Sequence, residues 1–278
     1  KFLMKKYNFT AKKNLGQNFL IDENVILDTI KEANINNTDL VIEIGPGLGT
    51  LTKYLLEKAG RVICIELDNR MISILNDRFS LYDNFEVIND DVLKIDLHEL
   101  IRKNKERLKI QNVKIVANLP YYITTPIIMK LLEEKLEIES ITVMVQKEVA
   151  DRITALPGEK NAGAITYSVY YYSEAQKIRN VPNSSFIPEP DVESTVIKLN
   201  IRKKPVIETE NEEKLFKLIK LAFMQRRKTL INAISNSGLL EKNKIKEILN
   251  QLGIDERVRG EELKIEDFKN ILDRMNIK

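Results

Sequence analysis

Cysteine and histidine are almost absent from the sequence: its 278 residues include one of each, Cys64 and His98. A single cysteine can form neither an internal disulfide nor a cysteine-based metal centre. A single histidine likewise argues against histidine metal ligation and against a serine–histidine catalytic relay. We therefore expect a protein that holds no metal and works in a reducing compartment, the cytoplasm.

Long uncharged apolar runs are also absent, so no segment of the sequence is suited to spanning a membrane. The first residues, KFLMKKYNFTAKK, are basic but lack the apolar stretch of a signal peptide. A hydrophobic content of 43% with 31% charged residues is typical of a soluble globular protein. No exposed apolar stripe is left over, so we expect a monomer.

Positive charge is concentrated in two segments, although the net charge of the chain is only +3. The first precedes the first acidic residue, Asp22, and the second lies between Glu213 and Glu241 with no acid inside it. The cations are Lys1, Lys5, Lys6, Lys12 and Lys13, then Lys214, Lys217, Lys220, Arg226, Arg227 and Lys228. Such clustering predicts contact with a polyanion; the alternative for either segment is a solvated helical face.

Short apolar runs alternate with helical patterns through the first two thirds of the chain. The runs that predict strands are Leu40–Ile44, Arg61–Glu66, Phe85–Ile88, Val113–Ala117 and Ser140–Gln146. Four of them are apolar at nearly every position, which is typical of parallel strands buried on both faces. Two later runs, Ala175–Val181 and Ser194–Ile201, predict an antiparallel edge. The whole predicts an α/β fold with a Rossmann-like sheet of seven mostly parallel strands.

The pattern changes near Lys204 and Pro205. Beyond them the segments are helical to the end of the chain, with no strand-like run. The first apolar helical stripe comprises Leu215, Leu218, Ile219, Ala222 and Phe223. We therefore predict a sheet domain over residues 1–204, with a basic N-terminal segment over 1–21, and a small all-α domain over 205–278.

The stretch IEIGPGLGTLT, residues 42–52, predicts a strand, a glycine-rich turn and the start of a helix. Glycines such as Gly45 and Gly47 let the backbone approach a ligand closely and adopt positive φ. Alone, the turn could be only a tight strand-to-helix connection. Glu66 ends the next strand about twenty residues on, where an acid can accept hydrogen bonds from both hydroxyls of a ribose.

Asp91 follows the third predicted strand and could accept a hydrogen bond from an adenine amino group. The glycine spacing, G-x-G-x-G, does not complete a pattern that cradles a diphosphate. An adenosyl ligand without phosphates fits better, because Gly45, Glu66 and Asp91 end three strands at the edge where α/β sheets bind ligands. The sequence predicts a site for S-adenosylmethionine; the alternative for Asp91 is a helix cap.

A second polar stretch, NLPYYITTP from Asn118 to Pro126, follows the fourth predicted strand. The Asn118 amide oxygen and a backbone carbonyl can accept the hydrogens of a nucleobase amine, which orients its lone pair towards a sulfonium methyl. Pro120 lacks an N–H and has a fixed φ, which helps to turn the preceding carbonyls towards the site. Tyr121 offers a ring on which an extruded base can stack, unless the stretch is merely a turn with Tyr121 in the core.

The motifs E-I-G-P-G-x-G-x-L-T and N-L-P-Y resemble those of the amino-methyltransferases that act on adenine or cytosine in nucleic acids. Five longer segments are similar to the small-subunit ribosomal RNA adenine dimethyltransferases, above all to their bacterial branch. They are KKNLGQNFL (12–20), NLPYYITTPI (118–127), VQKEVADRI (145–153), SSFIPEPDVESTVIKL (184–199) and FMQRRKTLINAI (223–234). The similarity spans nearly the whole chain, the helical C-terminal part included.

This resemblance implies an enzyme that dimethylates two adjacent adenines near the 3′ end of small-subunit (16S) rRNA. The methyl donor would be S-adenosylmethionine, and the partner would be the rRNA of a pre-assembled small subunit. Asn18 and Leu20 would close over the methionine end of the donor. The other donor-binding residues implied are Gly45, Gly47, Glu66, Asp91 and Asn118.

The resemblance also implies residues that hold the RNA. Asn118 and the Leu119 carbonyl would hold the target amine, beside Pro120. Tyr121 and Phe186 would sandwich the target base; the alternative for Phe186 is a place in the core. The implied phosphate contacts are Lys12, Lys13, Arg226, Arg227 and Lys228, the last three opening the second helix of the C-terminal domain or pairing with acids of the sheet domain.

Three competing functions stay open at this point. A large-subunit rRNA methyltransferase of the macrolide-resistance type shares the fold and GQNFL, although PEPDVEST and QRRKTLINAI argue against it. A non-catalytic RNA-binding assembly or transcription factor could retain the fold, although the complete Gly45, Glu66, Asp91 and Asn118 set argues against lost catalysis. A DNA adenine methyltransferase usually carries D-P-P-Y and a separate sequence-reading domain, neither of which is found in the sequence.

Overall fold

The structure, a computed structural model, describes residues 6–7, 17–225 and 227–275. It divides into two compact units. The sheet unit comprises the described residues up to Ala150 together with Glu174–Ile201, and the helical unit comprises Asp151–Ser173 with the described residues from Arg202 onward. Among all these residues, no helix has the length and apolar character needed to cross a membrane.

The sheet unit is built on seven strands in the order β4-β3-β2-β5-β6-β9-β7. A short antiparallel pair, β1 with β8, stands apart from this sheet. The strands are β1 Phe19–Leu20, β2 Asp39–Ile44, β3 Arg61–Glu66, β4 Phe85–Asn89, β5 Asn112–Asn118, β6 Ser140–Gln146, β7 Ser173–Val181, β8 Phe186–Ile187 and β9 Ser194–Ile201. Every strand predicted for the seven-stranded sheet is present within two residues of its predicted bounds.

The five central pairings explain the apolar character of the strands. Neighbours from β4 to β6 pair in parallel, and β9 pairs with β6 in antiparallel orientation. Every residue of β2 is buried, as expected for a strand with helices on both faces. Parallel pairing places the carboxyl ends of β2, β3, β4 and β5 at one edge of the sheet. The predicted Rossmann-like fold class is therefore confirmed.

Helices connect the strands and cover the sheet. Those that begin in the sheet unit are α1 Glu23–Ala33, α2 Thr50–Leu56, α3 Asn69–Phe79, α4 Leu97–Arg107, α5 Thr124–Glu133 and α6 Lys147–Ile153. Helix α1 illustrates why they form: the Asp22 carboxylate accepts hydrogen bonds from the N–H groups of Asn24 (3.0 Å) and Val25 (3.4 Å). The helix ends where Asn34 adopts a left-handed conformation, with φ of 50°.

The helical unit requires a correction to the single predicted boundary near residue 204. Asp151–Ser173, which includes helix α7 (Ala164–Tyr172), belongs to this unit rather than to the sheet unit. The reason is aromatic packing: the Tyr167 ring lies 5.4 Å from that of Phe223 and 5.3 Å from that of Phe268. Its hydroxyl donates to the Leu263 carbonyl at 2.5 Å. A boundary drawn by sequence order cannot detect a segment that packs against distant helices.

The remaining helices are α8 Glu212–Met224, α9 Leu230–Asn236, α10 Lys242–Leu252 and α11 Ile265–Arg274. The basic stretch before α9 differs from the prediction, because it does not open that helix. Helix α9 begins at Leu230 after the cap Thr229, whose side chain accepts a hydrogen bond from the N–H of Asn232. Arg227 and Lys228 therefore lie in the turn between α8 and α9, where both are exposed.

A buried ion pair lies within the sheet, between Asp39, the first residue of β2, and Lys114, the third residue of β5. The Lys114 ammonium is 2.8 Å from the Asp39 carboxylate and donates to the Asn34 carbonyl at 2.5 Å. The side chains are 2% and 0% exposed, respectively. The amide of Asn112 also donates to Asp39, at 3.2 Å. This network satisfies two charges that would be costly to bury alone.

Replacing Lys114 with methionine keeps the volume of the side chain and leaves Asp39 buried without its counter-charge. We expect the free energy of unfolding to fall by about 3–5 kcal/mol, because removing one partner of a buried ion pair leaves the other charge buried without compensation. Urea unfolding measures this loss. The control is Lys105→Met, which removes a partly exposed pair with Glu137 (2.6 Å; side chains 30% and 77% exposed) and should cost below about 1 kcal/mol. Equal losses in the two variants would refute the role of burial.

Candidate active site

A cavity opens at the carboxyl edge of the sheet, lined by the ends of β2, β3 and β5 and by the segment that enters β1. All but one of the residues expected in the donor and catalytic sites line it. The expected residues that line the cavity are Asn18, Leu20, Gly45, Gly47, Glu66, Asp91, Asn118, Leu119, Pro120 and Tyr121. They come from five separate parts of the chain, and parallel strand pairing brings four of these to the same edge.

The glycine-rich turn after β2 requires its glycines. Gly45 and Gly47 have φ of 65° and 56°, a region that side chains with a Cβ rarely adopt. A Cβ on Gly47 would also lie 3.0 Å from the ring of Phe19. The Gly47 N–H donates to the Glu66 carboxylate at 3.2 Å. The turn is therefore tied directly to the end of the neighbouring strand.

Glu66 is held in place at the end of β3 by two backbone donors, the N–H groups of Gly47 and Asp68 (3.2 and 2.8 Å). Burial raises the pKa of its carboxyl, and these hydrogen bonds only partly offset the effect. Asp68 lies two residues further on. Hydrogen bonds from the Arg70 guanidinium and from Gln17 lower the pKa of its carboxyl to about 2, although partial burial acts in the opposite direction. Gln17 donates to Asp68 at 3.1 Å and so joins the entry to β1 to this edge.

Asp91 caps a turn and also lines the cavity, and its contact with an adenine amino group stays a prediction. Its carboxylate accepts a hydrogen bond from the N–H of Leu93 at 3.0 Å, which caps the turn that follows β4. It also lines the cavity, together with Asp90 and Val92. The Lys94 ammonium is 3.8 Å from one of its oxygens. An acceptor at this position is thus oriented by its own turn.

Asn118 ends β5 with its side-chain amide already engaged. Its Nδ2 donates to the backbone carbonyl of Asn18 at 3.1 Å, so Oδ1 remains as the acceptor end of the amide. Leu119 lines the same cavity and is almost fully buried. Among residues 6–7, 17–225 and 227–275, none donates a hydrogen bond to its carbonyl oxygen. The Pro120 carbonyl, in contrast, accepts from the N–H of Ile123 and the hydroxyl of Thr124.

Tyr121 begins a short 3₁₀ turn, Tyr121–Ile123, directly after Pro120. Its hydroxyl forms a 2.6 Å hydrogen bond with the hydroxyl of Ser194. Burial raises the pKa of the Tyr121 phenol, so the ring stays neutral at physiological pH. The structure does not place Tyr121 in the core, because its side chain is only partly buried and lines the cavity.

Phe186 is the one expected catalytic-site residue that the structure places elsewhere. It lies in β8, where its Cα pairs with that of Leu20, and it is 1% exposed within the apolar core of the sheet unit. It is not among the residues that line the cavity. In the structure the ring therefore lies in the core and not on the cavity wall with Tyr121, and a base held between the two rings stays a prediction.

Among the expected phosphate contacts that the structure describes, Arg227 and Lys228, neither lines this cavity. Lys12, Lys13 and Arg226 lie outside the described residues. Arg227 and Lys228 are exposed in the helical unit. Within the described part of the chain, no group of three or more histidine, cysteine, aspartate and glutamate side chains could hold a metal ion.

Glu43 is a residue of the cavity wall that the sequence patterns did not single out. It is fully buried in β2, its carboxylate accepts a hydrogen bond from the Thr52 hydroxyl at 2.6 Å, and the Cys64 thiol lies 3.5 Å away. Desolvation raises the pKa of its carboxyl to about 7, against the effect of these two donors. A charged residue inside an otherwise apolar strand is the signal that could have found it.

The chemistry available at this edge is that of orientation and charge rather than of a strong base. Two carboxylates, Glu66 and Asp91, can accept from a polar ligand, and the amide oxygen of Asn118 can accept from a second one. An aromatic ring, Tyr121, lies beside that amide along the chain. Such a set suits a polar adenosyl-like ligand next to a planar group that carries an amine.

Residues 8–276 match the sequence model of a family described as Ribosomal RNA adenine dimethylase. Over 269 residues the chain is 50% identical to a Ribosomal RNA small subunit methyltransferase A from Alkaliphilus oremlandii (strain OhILAs), a match covering 96% of this chain and 93% of that protein.

Solved structures give a consistent picture. A dimethyladenosine transferase from Plasmodium falciparum has a TM-score of 0.75 at 28% identity, covering 93% of this chain and 97% of that one. The 23S rRNA methyltransferase ErmE has a TM-score of 0.68 at 24% identity, covering 94% of this chain and 100% of that one. The second is a likeness of fold alone.

Glu43→Gln should change how stability depends on pH. A carboxyl whose pKa rises from 4.5 to about 7 on folding binds its proton more tightly in the folded state, so its contribution to stability decreases as pH rises between those values. Glutamine cannot lose a proton. The free energy of unfolding of the variant should therefore rise relative to that of the wild type between pH 5 and pH 8. The rise should reach about 3 kcal/mol, because one pKa unit corresponds to about 1.36 kcal/mol.

Urea unfolding of both proteins across this pH range measures the difference, in which the titrating groups that do not interact with Glu43 cancel. The control is Glu57→Gln, which removes an exposed carboxyl. A pH-independent difference for Glu43→Gln would contradict the raised pKa of its carboxyl.

Proposed function

The chain belongs to the ribosomal RNA adenine dimethylase family and is a methyltransferase of ribosomal RNA, and from this premise we propose which RNA it modifies and how. The substrate is the small-subunit rRNA, in which two adjacent adenines near the 3′ end each receive two methyl groups on the exocyclic amine. The full-length match to small-subunit relatives is the observation that carries this proposal. The reaction would take place where ribosomal subunits assemble, in the cytoplasm.

S-adenosylmethionine is the proposed methyl donor, and the residues of the cavity fit it. Glu66, held by two backbone N–H groups, keeps acceptor capacity for ribose hydroxyls. Asp91 offers an acceptor for an adenine amino group, and the positive-φ turn at Gly45 and Gly47 leaves room for the methionine part. Asn18 and Leu20 line the same cavity from the β1 side. When bound, the donor supplies an electrophilic methyl group on a sulfonium.

Asn118 and Leu119 supply the proposed contacts to the target amine. An adenine amine is a weak nucleophile because its lone pair is delocalised into the ring. In the first transfer, hydrogen bonds from both amine hydrogens to Asn118 Oδ1 and the Leu119 carbonyl would orient that lone pair and favour a pyramidal nitrogen. In the second transfer, the one remaining amine hydrogen would bond to one of these two acceptors. The Asn118 amide needs no reorganisation for this, since Asn18 already fixes its donor end.

No side chain needs to act as a strong base. The amine becomes a cationic ammonium as it gains the methyl group, and such an ammonium loses its proton readily to water. Tyr121, whose pKa is raised by burial, stays neutral and can serve as a stacking surface for the base. The near absence of histidine is therefore compatible with the proposed chemistry.

The helical unit is the proposed contact to ribosomal RNA outside the active site. Arg227 and Lys228 lie exposed in the turn before α9, and Lys217 and Lys220 are exposed on α8. Clustered cations of this kind bind phosphates without reading sequence. A pre-assembled subunit, rather than free RNA, would present both the target adenines and the phosphates in a fixed arrangement. We propose that the enzyme acts on it as a monomer.

The test is transfer of labelled methyl groups to small subunits that lack the dimethyladenosines, beside large subunits and naked rRNA. We expect labelling of the small subunit only. Asn118→Ala should lower the rate roughly a hundredfold, because it removes a preorganised group that acts on the reacting amine. The donor should still bind. The exposed Asn76→Ala variant on α3 should keep wild-type activity.

Each other outcome identifies a competing function. Labelling of large-subunit RNA would assign the protein to the macrolide-resistance type. Binding of S-adenosylmethionine without methyl transfer to any RNA would indicate a non-catalytic RNA-binding factor.

Replacing Arg227 and Lys228 together with glutamine should weaken binding to the small subunit and reduce its salt dependence. Each lost phosphate contact lowers the slope of log affinity against log salt by about 0.9, so the slope should fall by about 2. The control is Lys269→Gln, a lysine of the same unit that is paired with Asp273 at 2.8 Å. An unchanged slope would show that the turn does not touch phosphates.

A further inference from the structure

We infer that Ser194 is a positioning residue for the methyl transfer: its hydroxyl holds the phenol of Tyr121 and so fixes the ring on which the target base stacks. This inference rests on the proposed function and extends it to a residue that itself does not touch the substrate. The two hydroxyl oxygens are 2.6 Å apart, the distance of a well-formed hydrogen bond.

Ser194 lies on a strand that is paired with its neighbour in the sheet. It is the first residue of β9, its Cα pairs with that of Gln146 at the end of β6, and it is 0% exposed. The preceding residue, Glu193, accepts a hydrogen bond from the N–H of Lys147 at 3.0 Å. A hydroxyl on such a backbone has little freedom and makes a fixed anchor.

Tyr121 needs an anchor because the chain around it controls only one end of the side chain. Pro120 restricts the backbone before the ring, but the ring itself can still rotate about two side-chain torsions. Its hydroxyl is the far end of the side chain. A hydrogen bond there fixes the position of the far end of the ring, and therefore the place at which a base can stack on it.

The next residue shows what an untethered ring in the same turn looks like. Tyr122 also lines the cavity, but it is 55% exposed. In the described part of the chain, no hydrogen bond to its hydroxyl is found. The two adjacent tyrosines thus differ both in exposure and in the partner of the phenol: Tyr121 is partly buried and bonded to Ser194, whereas Tyr122 is exposed.

The bond also explains a polar residue in a buried position. Ser194 is followed in β9 by residues that pack in the core, such as Val196 and Ile197. A buried hydroxyl without a partner is unfavourable, so each of the two hydroxyls satisfies the other. The adjacent Thr195 is equally buried, but its hydroxyl donates to Asn180 at 3.1 Å instead. It therefore offers a matched control.

The test compares Ser194→Ala, Tyr121→Phe and the double variant in methyl transfer to small subunits, with S-adenosylmethionine affinity and thermal unfolding measured alongside. Ser194→Ala should lower kcat/KM roughly three- to tenfold, the range expected for one neutral hydrogen bond. Donor affinity should stay within about twofold, because neither hydroxyl is assigned to the donor. Tyr121→Phe keeps the ring but not the tether and should cause a similar loss.

Three further results separate a positioning role from a merely structural one. The double variant should lose no more than either single variant, because both break the same bond. Ser194→Thr keeps a hydroxyl and should restore activity. Thr195→Val should leave kcat/KM near the wild-type value even if it lowers the unfolding midpoint as much as Ser194→Ala does.

The inference is overturned if the losses in the double variant multiply, or if Thr195→Val is as damaging to activity as Ser194→Ala at equal stability. A wild-type protein that methylates no RNA would instead refute the proposed function. In that case the NMR signals of isotope-labelled tyrosine still decide on the anchor. Ser194→Ala should shift and sharpen the Tyr121 ring signals, and unchanged signals would exclude the tether.

Discussion

Parallel pairing of adjacent strands is the constraint on which the active site depends. Because β2, β3 and β5 run in the same direction, their carboxyl ends meet at one edge, and Gly45, Glu66 and Asn118 are brought together from distant parts of the sequence. The apolar character of these strands stabilises the sheet, and the residues just beyond them are free to be polar. This separation of apolar strands from polar strand ends explains why glycine, carboxylates and an amide follow buried strands.

The polar groups at this edge are already oriented by the protein itself. Glu66 is held by two backbone N–H groups, the Asn118 amide by the Asn18 carbonyl, and the Tyr121 phenol by Ser194. In Asn118 and Tyr121 the bond uses one part of the side chain and leaves another part for a ligand, and in Glu66 each carboxylate oxygen accepts one N–H and keeps further acceptor capacity. Groups held in this way lose little freedom when a substrate binds, which is the basis of catalysis by preorganisation.

The strands and most of the site could be predicted from the sequence because both follow from local patterns. Apolar runs locate the strands, and Glu66 and Asn118 stand at their ends. Phe186 could not be placed, since nothing local shows that β8 pairs with β1 and turns the ring into the core. Ser194 and the segment that contains Tyr167 were missed for a similar reason, because their partners are about 70 to 100 residues away in the sequence.

The central claim is that this edge holds an adenine amine against a methyl donor. The most direct measurement is nucleoside analysis of small-subunit rRNA that lacks the modification, after incubation with the protein and S-adenosylmethionine. The account predicts dimethyladenosine at two adjacent positions near the 3′ end and no other new methylated nucleoside. Methyl groups on ribose hydroxyls, or on a base carbon, would contradict it, because neither is the ring-conjugated amine that Asn118 and the Leu119 carbonyl are proposed to orient.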